Sequence, residues 1–413
     1  MIIKRDYYLQ QLISSKSNNL IKIVTGIRRS GKSFLLFNLF HNHLIETGIS
    51  EDHIIEIALD DRLNKNLRDP DVILQHIHER IVDDKLYYII LDEVQMIDEF
   101  TDVLNSLLHI RNADVYVTGS NSKFLSKDVV TEFRGRGDEI HLFPLSFAEL
   151  YNSIGGDKFE LWKSYYTYGG LPGILELDSE KKKAAYLRSL HETVYLKDII
   201  ERNNLKNSEE FMELMRVMAS CIGSPCNPSK LENTFKSVKN ETLDRKTISK
   251  YLSYMEDAFL IEKSMRYDIK GRKYIGTLSK YYFQDIGLRN ALLNFRQVEE
   301  NHIMENVIYN ELRLRGFCVD VGMVEARTAK ERKQLEVDFV ANMADRRYYI
   351  QSAFAMPDDD KREQESASLK RIDDSFKKII IMRDDIKPYH DNNGFYIVGL
   401  MDFLLKPDLI EQL

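Results

Sequence analysis

The loop from Gly26 to Ser33 constrains the fold of this chain more than any other segment. It reads GIRRSGKS, which matches the pattern G-x-x-x-x-G-K-S in full, and the run IKIVT lies directly before it. Glycines allow a tight turn whose backbone N–H groups point inward, and the helix that follows presents its positive end to phosphate groups. An apolar pattern typical of a helix comes next. The segment therefore predicts a strand, a phosphate-binding loop and a helix, and a chance match on a glycine turn is the alternative.

The loop residues have distinct expected roles in nucleotide binding. Lys32 would reach the β- and γ-phosphates, and the hydroxyl of Ser33 would ligate Mg²⁺. The backbone of the loop and the start of the helix would supply the other contacts. The predicted ATP-binding residues are Gly26, Ile27, Arg28, Arg29, Ser30, Gly31, Lys32, Ser33 and Phe34.

A second motif, YYIILDEVQ at residues 87–95, ends an apolar run in two acids. A continuous apolar run of this length is typical of a strand buried on both faces of a parallel sheet. In such sheets ligands collect at the carboxyl ends of the strands. Asp92 is therefore predicted to hold Mg²⁺ through its water shell, and Glu93 to orient and deprotonate the attacking water. An acid pair that merely solvates a strand end is the alternative.

Polar residues after the third predicted strand are weaker candidates for catalytic roles. Ser120 and Asn121 could sense the γ-phosphate or orient the water, and Thr118 is a further candidate, although Gly-Ser-Asn also forms ordinary turns. Arg134 and Arg136 lie on the glycine-flanked loop FRGRG. An arginine on such a loop can neutralise transition-state charge on a neighbour's nucleotide, and two surface arginines on a turn are the alternative. The sequence does not decide which arginine would act.

The order of these motifs resembles a known family. The segments VTGIRRSGKSFLL, YYIILDEVQ, TGSNSKFLSKD, FRGRG and FPLSFAEL, followed by YGGLPGIL and YLKDII, are similar to the AAA-type ATPases of bacteria and archaea that carry a C-terminal DUF4143 domain. The resemblance covers nearly the whole chain. It implies an ATPase core in which the catalytic glutamate stands beside the Mg²⁺-binding aspartate. It also implies homo-oligomers, with the arginine loop near a subunit boundary, but it supplies no macromolecular substrate.

Length and composition indicate several domains in one chain of 413 residues. Strands that alternate with helical stretches predict an α/β fold with a mostly parallel sheet. The expected architecture is a P-loop NTPase core at residues 1–150, a helical lid at 151–206, a winged helix-turn-helix at 207–295 and an α/β restriction-endonuclease-like domain at 296–413. The N-terminus lacks the pattern of a signal peptide, and no apolar run suffices for a membrane helix. Three cysteines without zinc spacing favour a reduced, cytoplasmic protein.

The segment 228–290 differs in charge from the rest of the chain. The whole chain has a formal net charge of −7, whereas this segment holds 13 Lys and Arg against 8 Asp and Glu. Helical spacing followed by two strands predicts a winged helix whose basic residues meet DNA phosphates, and a winged helix used only for protein packing is the alternative. The expected phosphate contacts are Lys246, Lys250, Lys270, Arg272 and Lys273.

The last domain resembles the restriction-endonuclease-like fold. Active members hold a metal with a helix glutamate, a strand aspartate and an E-x-K pair, and Glu305 and Asp338 match the first two positions. Gln351 and Ala353 stand where the glutamate and lysine would be. An uncharged glutamine binds a divalent metal less well than a carboxylate does, so we expect a degenerate nuclease site.

These observations favour a Mg²⁺-dependent ATPase that binds ATP and ADP and uses hydrolysis to rearrange its C-terminal modules. A nucleotide-gated DNA-binding protein with little turnover is the first alternative, and an ATP-driven nuclease is the second. The glutamine at position 351, where active nucleases have a glutamate, argues against the nuclease alternative.

Overall fold

The computed structural model describes residues 3–119, 135–239, 243–327 and 332–412. The chain divides into two compact units. The first is Met1–Leu145 together with Asp257–Phe259, and the second is Ser146–Glu256 together with Leu260–Leu413.

The first unit alternates strands and helices, as the sequence predicts. Its strands are β1 (Ile21–Thr25), β2 (Ile54–Ala58), β3 (Tyr87–Asp92), β4 (Ala113–Thr118) and β5 (Gly137–His141). Its described helices are α1 (Asp6–Ser14), α2 (32–46, π-helical over Leu35–Phe40), α3 (Pro70–Arg80) and α4 (Phe100–Leu107). Short 3₁₀ turns occur at Glu51–His53, Arg62–Arg68 and Val94–Met96.

The five strands form one parallel sheet in the order β2-β3-β4-β1-β5. Strand β3 is buried along its whole length, and its side chains enter two separate hydrophobic clusters in alternation. Ile89 belongs to one cluster and Ile90 to the other. Both faces of the sheet are therefore covered, which explains the continuous apolar run of the sequence. The carboxyl ends of β1, β3 and β4 lie at one edge of this sheet.

The second unit begins with helices and continues into a mixed sheet. Its helices are α5 (Phe147–Ile154), α6 (Lys158–Tyr168), α7 (180–203), α8 (Ser208–Ser220), α9 (228–239), α10 (Arg245–Asp257), α11 (Ile286–Leu292), α12 (Glu300–Leu314), α13 (Asp359–Ser366) and α14 (Leu400–Leu405). Its strands are β6 (Ile261–Asp268), β7 (Lys273–Phe283), β8 (Cys318–Arg327), β9 (Arg332–Met343), β10 (Arg346–Ala353), β11 (Lys377–Met382), β12 (Tyr389–His390) and β13 (Tyr396–Gly399). Short 3₁₀ turns occur at Pro172–Glu176, Leu369–Arg371 and Pro407–Leu409.

The architecture differs from the expected modules in two respects. The hairpin β6–β7 follows helices α9 and α10, as predicted, but β6 also pairs in parallel with β8. The hairpin is thereby part of an eight-stranded sheet in the order β12-β13-β11-β10-β9-β8-β6-β7. The expected boundary at residue 295 falls between strands of one sheet, because pairing with β8 is a long-range contact that local sequence patterns do not report. Residues 146–206 likewise belong to the second unit, where Trp162 shares a hydrophobic cluster with α12.

Among the described helices, none combines the length and the apolar composition needed to span a bilayer.

Glycines allow the backbone at the end of α6 to lie close to the start of α11. The N–H of Gly170 donates to Oδ2 of Asp285 at 2.8 Å, while Oδ1 of the same carboxylate accepts from Leu288 N at 2.9 Å and caps α11. Burial raises the pKa of Asp285 to about 6, against the effect of these N–H donors, which lower it. On Gly287 an added Cβ would lie 2.0 Å from the carbonyl oxygen of Tyr168.

We therefore expect Gly287→Ala to lower the free energy of unfolding of the second unit by about 1–3 kcal/mol, because the new methyl group forces α6 and α11 apart. Denaturant unfolding followed by the fluorescence of the single tryptophan, Trp162, measures this unit alone. Gly276→Ala is the matched control, since nothing lies within 4 Å of its added Cβ. Equal free energies of unfolding for the two variants would contradict close packing of Gly287 against the backbone of Tyr168.

Candidate functional site

The phosphate loop adopts a conformation that its glycines make possible. Gly26 has φ 137° and Gly31 has φ 100°, both in the region that favours glycine, and Arg29 also has a positive φ of 67°. A Cβ on Gly26 would lie 2.2 Å from the carbonyl oxygen of Leu142. The loop is thus a cradle of backbone that a side chain at Gly26 would disrupt.

Lys32 folds back over this loop. Its Nζ donates to the carbonyl oxygens of Gly26 at 3.0 Å and Ile27 at 3.2 Å, and the side chain is buried. Burial lowers the pKa of Lys32, and the nearby charges of Glu93 and Asp92 oppose this effect. The ammonium is therefore held at the loop by weak acceptors that a phosphate oxygen can replace.

Ser33 and Asp92 meet at the mouth of the loop. The Ser33 hydroxyl donates to Oδ2 of Asp92 at 2.7 Å, and the hydroxyl of Thr118 donates to Oδ1 of the same carboxylate. Burial raises the pKa of Asp92, the two hydroxyl donors lower it, and the charge of Glu93 raises it further. A hydroxyl and a carboxylate side by side are oxygen donors of the kind that Mg²⁺ prefers, so these residues fit that ion.

Glu93 follows Asp92 in an unusual backbone conformation. Its φ is 54°, its N–H donates to the hydroxyl of Thr118 at 2.9 Å, and its Oε2 accepts from Nε2 of Gln95. A positive φ in a glutamate costs free energy and often marks a functional position. Thr118 thus links the carboxylate of Asp92 to the backbone of Glu93.

The structure brings together Lys32, Ser33, Asp92 and Glu93, as the sequence predicts. Among the weaker candidates, Thr118, the last residue of β4, contacts the carboxylate of Asp92 and the backbone N–H of Glu93. Ser120, Asn121 and Arg134 lie outside the described residues. Arg136 is exposed, and its carbonyl oxygen accepts from the N–H of Ile21 at 2.9 Å, where β5 joins β1.

Sequence reasoning missed Arg5, which supports the loop from the start of α1. Its guanidinium donates to the carbonyl oxygens of Ser30 at 3.3 Å and Phe143 at 2.8 Å, and lies over the ring of Tyr8. Nothing in the sequence distinguishes Arg5 from an exposed arginine, because its partners lie 25 and 138 residues away along the chain.

A second polar cluster lies in the other unit and contains the three residues compared with nuclease sites. Glu305, Asp338 and Gln351 line one cavity of about 580 Å³. The N–H of Ser352 donates to Oδ2 of Asp338 at 2.8 Å, and Asp338 N lies 3.4 Å from Oε1 of Gln351. The fold therefore brings these three residues close together.

Lys280 of β7 lies at the centre of this cluster. No sequence pattern predicted a role for Lys280. Its buried Nζ lies 2.8 Å from Oε1 of Glu305, 2.8 Å from Oε1 of Glu336 and 3.7 Å from Oδ1 of Asp338. Burial lowers the pKa of Lys280, but these three carboxylates outweigh burial and raise it above its ordinary value. Burial raises the pKa of Asp338 to about 7, against the charge of Lys280. Within the described residues, no group of three or more His, Cys, Asp or Glu side chains is arranged to hold a metal.

One of two matching family models covers the segment that holds the phosphate loop and the two acids. A family model described as an AAA domain (AAA_14) matches residues 18–151, and one for a domain of unknown function (DUF8612) matches residues 159–299. The expected DUF4143 domain is not confirmed, since DUF8612 is the family found beyond the AAA domain.

Two solved structures show a weak likeness. The Orc1 protein of Aeropyrum pernix, in complex with DNA, has 12% identity and a TM-score of 0.31 over 71% of this chain and 92% of its own. Cdc6p of Pyrobaculum aerophilum has 13% identity and a TM-score of 0.30 over 73% of this chain and 94% of its own. These TM-scores are too low to define a shared overall arrangement.

Two relatives match over most of their length. An uncharacterized protein of Methanocaldococcus jannaschii is 29% identical over 90% of this chain and 82% of its own. An uncharacterized protein of Haemophilus influenzae is 33% identical over 98% of this chain and 99% of its own. The chain therefore belongs to the same family as the Haemophilus influenzae protein, and it carries an AAA-type P-loop ATPase domain.

Proposed function

We propose that the protein is a Mg²⁺-dependent ATPase. The observation that carries this proposal is the contact at 2.7 Å between the Ser33 hydroxyl and the Asp92 carboxylate, directly beside the loop that Lys32 covers. Three groups with separate roles in phosphoryl transfer to water thereby stand within one small site.

Each residue has a defined part in holding the nucleotide. The N–H groups of the loop donate to phosphate oxygens, and the Lys32 ammonium exchanges the carbonyl oxygens of Gly26 and Ile27 for the β- and γ-phosphates. Ser33 and Asp92 would hold Mg²⁺, which when bound would offset the charge of the triphosphate. The buried position of Lys32 strengthens its attraction to phosphate, because little water screens the charge.

Turnover needs a base, and Glu93 is placed to serve as one. It takes a proton from the attacking water, while Thr118 keeps the backbone of Glu93 fixed to the carboxylate of Asp92. An arginine of the loop that contains Arg134 and Arg136 neutralises charge on the nucleotide of a neighbouring copy.

The same cycle can drive rearrangement of the C-terminal modules through β5. The Thr25 hydroxyl, one residue before the loop, donates to Oε1 of Glu139 at 2.7 Å and lies 3.0 Å from Nδ1 of His141. Strand β5 carries both partners, and the chain enters the second unit soon after it. A shift of the loop on nucleotide binding is therefore passed to the strand that leads out of the first unit.

Two substitutions separate binding from hydrolysis. Lys32→Ala should weaken ATP binding about 10- to 100-fold or more, because it removes charge-assisted hydrogen bonds to phosphate. Glu93→Gln should retain ATP and lose turnover, because the amide cannot accept the proton. Calorimetry and phosphate release measure the two effects, and Lys65→Ala, at an exposed lysine, is the control. Normal turnover by Glu93→Gln would remove Glu93 from the mechanism.

The buried carboxylate of Asp92 should cost stability when no nucleotide is bound. Its pKa is raised in the folded state, so ionisation at neutral pH disfavours folding, and this penalty vanishes as the pH falls toward and below the ordinary value. We expect Asp92→Asn to raise the free energy of unfolding by on the order of 1 kcal/mol at pH 7, with a smaller gain at lower pH.

Hydrogen exchange of β3 and β4 at several pH values measures this difference. Asp52→Asn, at an exposed aspartate, should change it by less than about 0.5 kcal/mol throughout. A destabilised Asp92→Asn chain at pH 7 would contradict the account.

DNA binding is a second candidate function, and the exposed face of α10 favours it. The helix buries Ile248, Tyr251, Leu252 and Met255, which leaves Arg245, Lys246 and Lys250 exposed on the other side. Lys250 also lines a polar cavity of about 470 Å³ together with Lys206. Lys270, Arg272 and Lys273 are exposed at the turn of the β6–β7 hairpin. A helix and a hairpin that both carry unburied cations suit contacts with DNA phosphates.

Salt dependence tests this candidate. The double variant Lys246→Ala, Lys250→Ala should weaken duplex DNA binding and reduce the slope of log affinity against log salt by about 2, since two phosphate contacts are lost. Lys181→Ala, Lys197→Ala removes equal charge from exposed positions on α7 and is the control. Equal effects of the two double variants in a mobility-shift titration would reject a specific surface on α10.

A further inference from the structure

Gln95 contacts the proposed base, and neither the motif nor the proposed function gives it a role. It lies in the 3₁₀ turn Val94–Met96 that directly follows Glu93. Its Nε2 donates to Oε2 of Glu93, and the N–H of Met96 donates to the carbonyl oxygen of Glu93 at 3.0 Å. The turn therefore holds Glu93 through both its side chain and its backbone.

The other amide atom of Gln95 has an unusual environment. Its Oε1 is buried and has no hydrogen-bond partner among the described residues. A buried acceptor without a partner destabilises the folded state, so an apolar residue of similar size would be more stable at this position unless the amide has a use. A donor that arrives with the substrates, such as a water molecule beside Glu93, would satisfy this oxygen.

We propose that Gln95 is the positioning residue for Glu93 in ATP hydrolysis. This inference rests on the proposed function. In the step concerned, the water oxygen forms a bond to the γ-phosphorus, the bond to the bridging oxygen breaks and ADP leaves, and the water proton passes to Glu93. Nε2 of Gln95 holds Oε2 of Glu93, so that the carboxylate meets the water in one orientation.

Thr118 and Gln95 divide the positioning between them. Thr118 fixes the backbone of Glu93 through its N–H at 2.9 Å, and Gln95 fixes the carboxylate. The φ of 54° at Glu93 places the residue between these two anchors in a conformation that glutamate does not favour. Without the amide, the side chain of Glu93 regains rotamer freedom, and the reacting geometry is populated less often.

Gln95→Met tests the role, because methionine keeps the length of the side chain and removes both amide atoms. We expect kcat to fall about 10- to 100-fold, the loss typical of a misplaced reacting group, with KM changed less than about twofold. Affinity for ADP, Mg²⁺ and vanadate together, which mimic the transition state, should fall at least about tenfold in calorimetry. Affinity for a non-hydrolysable ATP analogue should not change.

The matched control is Gln75→Met on α3. Gln75 makes the same kind of bond, from its Nε2 to Oε1 of Glu79 at 2.8 Å, on an exposed helix surface. Gln95→Glu is a second variant, which keeps the shape and removes the donor. It also adds a negative charge beside Glu93, so we expect kcat to fall at least as far as in Gln95→Met.

The possible outcomes separate this inference from the proposed function. Unchanged kcat and vanadate affinity in Gln95→Met would overturn the role of Gln95, while inactivity of Glu93→Gln in the same assay would leave the proposed function intact. Parallel loss of affinity for the ATP analogue and for vanadate would make Gln95 a structural residue and also overturn its role. If the unaltered chain shows no turnover, the proposed function fails, and the role of Gln95 in hydrolysis fails with it.

Discussion

The hydrogen bond between the Ser33 hydroxyl and the Asp92 carboxylate is the contact on which the first unit's site depends. It joins the start of α2 to the end of β3, although β4 lies between β3 and β1 in the sheet. Thr118, at the end of β4, donates to the same carboxylate, so the intervening strand also contacts Asp92. Parallel pairing brings the three strand ends to one edge, and the phosphate loop then places a hydroxyl and an ammonium against the acids.

Several features of the first unit's site lower the free energy of unfolding. Asp92 is an acid whose pKa burial raises, Glu93 has a left-handed backbone, and an oxygen of Gln95 is buried without a partner among the described residues. Each feature costs free energy in the chain without nucleotide, and each lies within a few residues of the proposed base. Such a concentration of unfavourable features is typical of a site that is completed by its ligand. The cluster around Lys280 differs, because there an ammonium of the chain itself compensates the carboxylates.

How far the sequence could predict this molecule depends on the range of each interaction. The loop from Gly26 to Ser33 and the two acids at the end of β3 are local patterns, so spacing and residue type were enough to predict where they lie in the fold. Arg5 and Lys280 were missed because their partners are distant in sequence, as with the separation of 25 residues between Lys280 and Glu305. The β6–β7 hairpin was expected as a wing of its own module, and its pairing with β8 could not be read from local alternation. Thr118 was a secondary candidate, since only the fold shows that its hydroxyl reaches the carboxylate of Asp92 and the backbone of Glu93.

A structure of the Glu93→Gln chain with ATP and Mg²⁺ tests the central claim most directly. The account predicts the triphosphate within the loop and the Lys32 ammonium on its β- and γ-phosphates, with the Ser33 hydroxyl and the Asp92 carboxylate as the side chains that would hold Mg²⁺. A triphosphate bound elsewhere, or a Lys32 ammonium that stays on the carbonyl oxygens of Gly26 and Ile27 with the nucleotide in place, would contradict it.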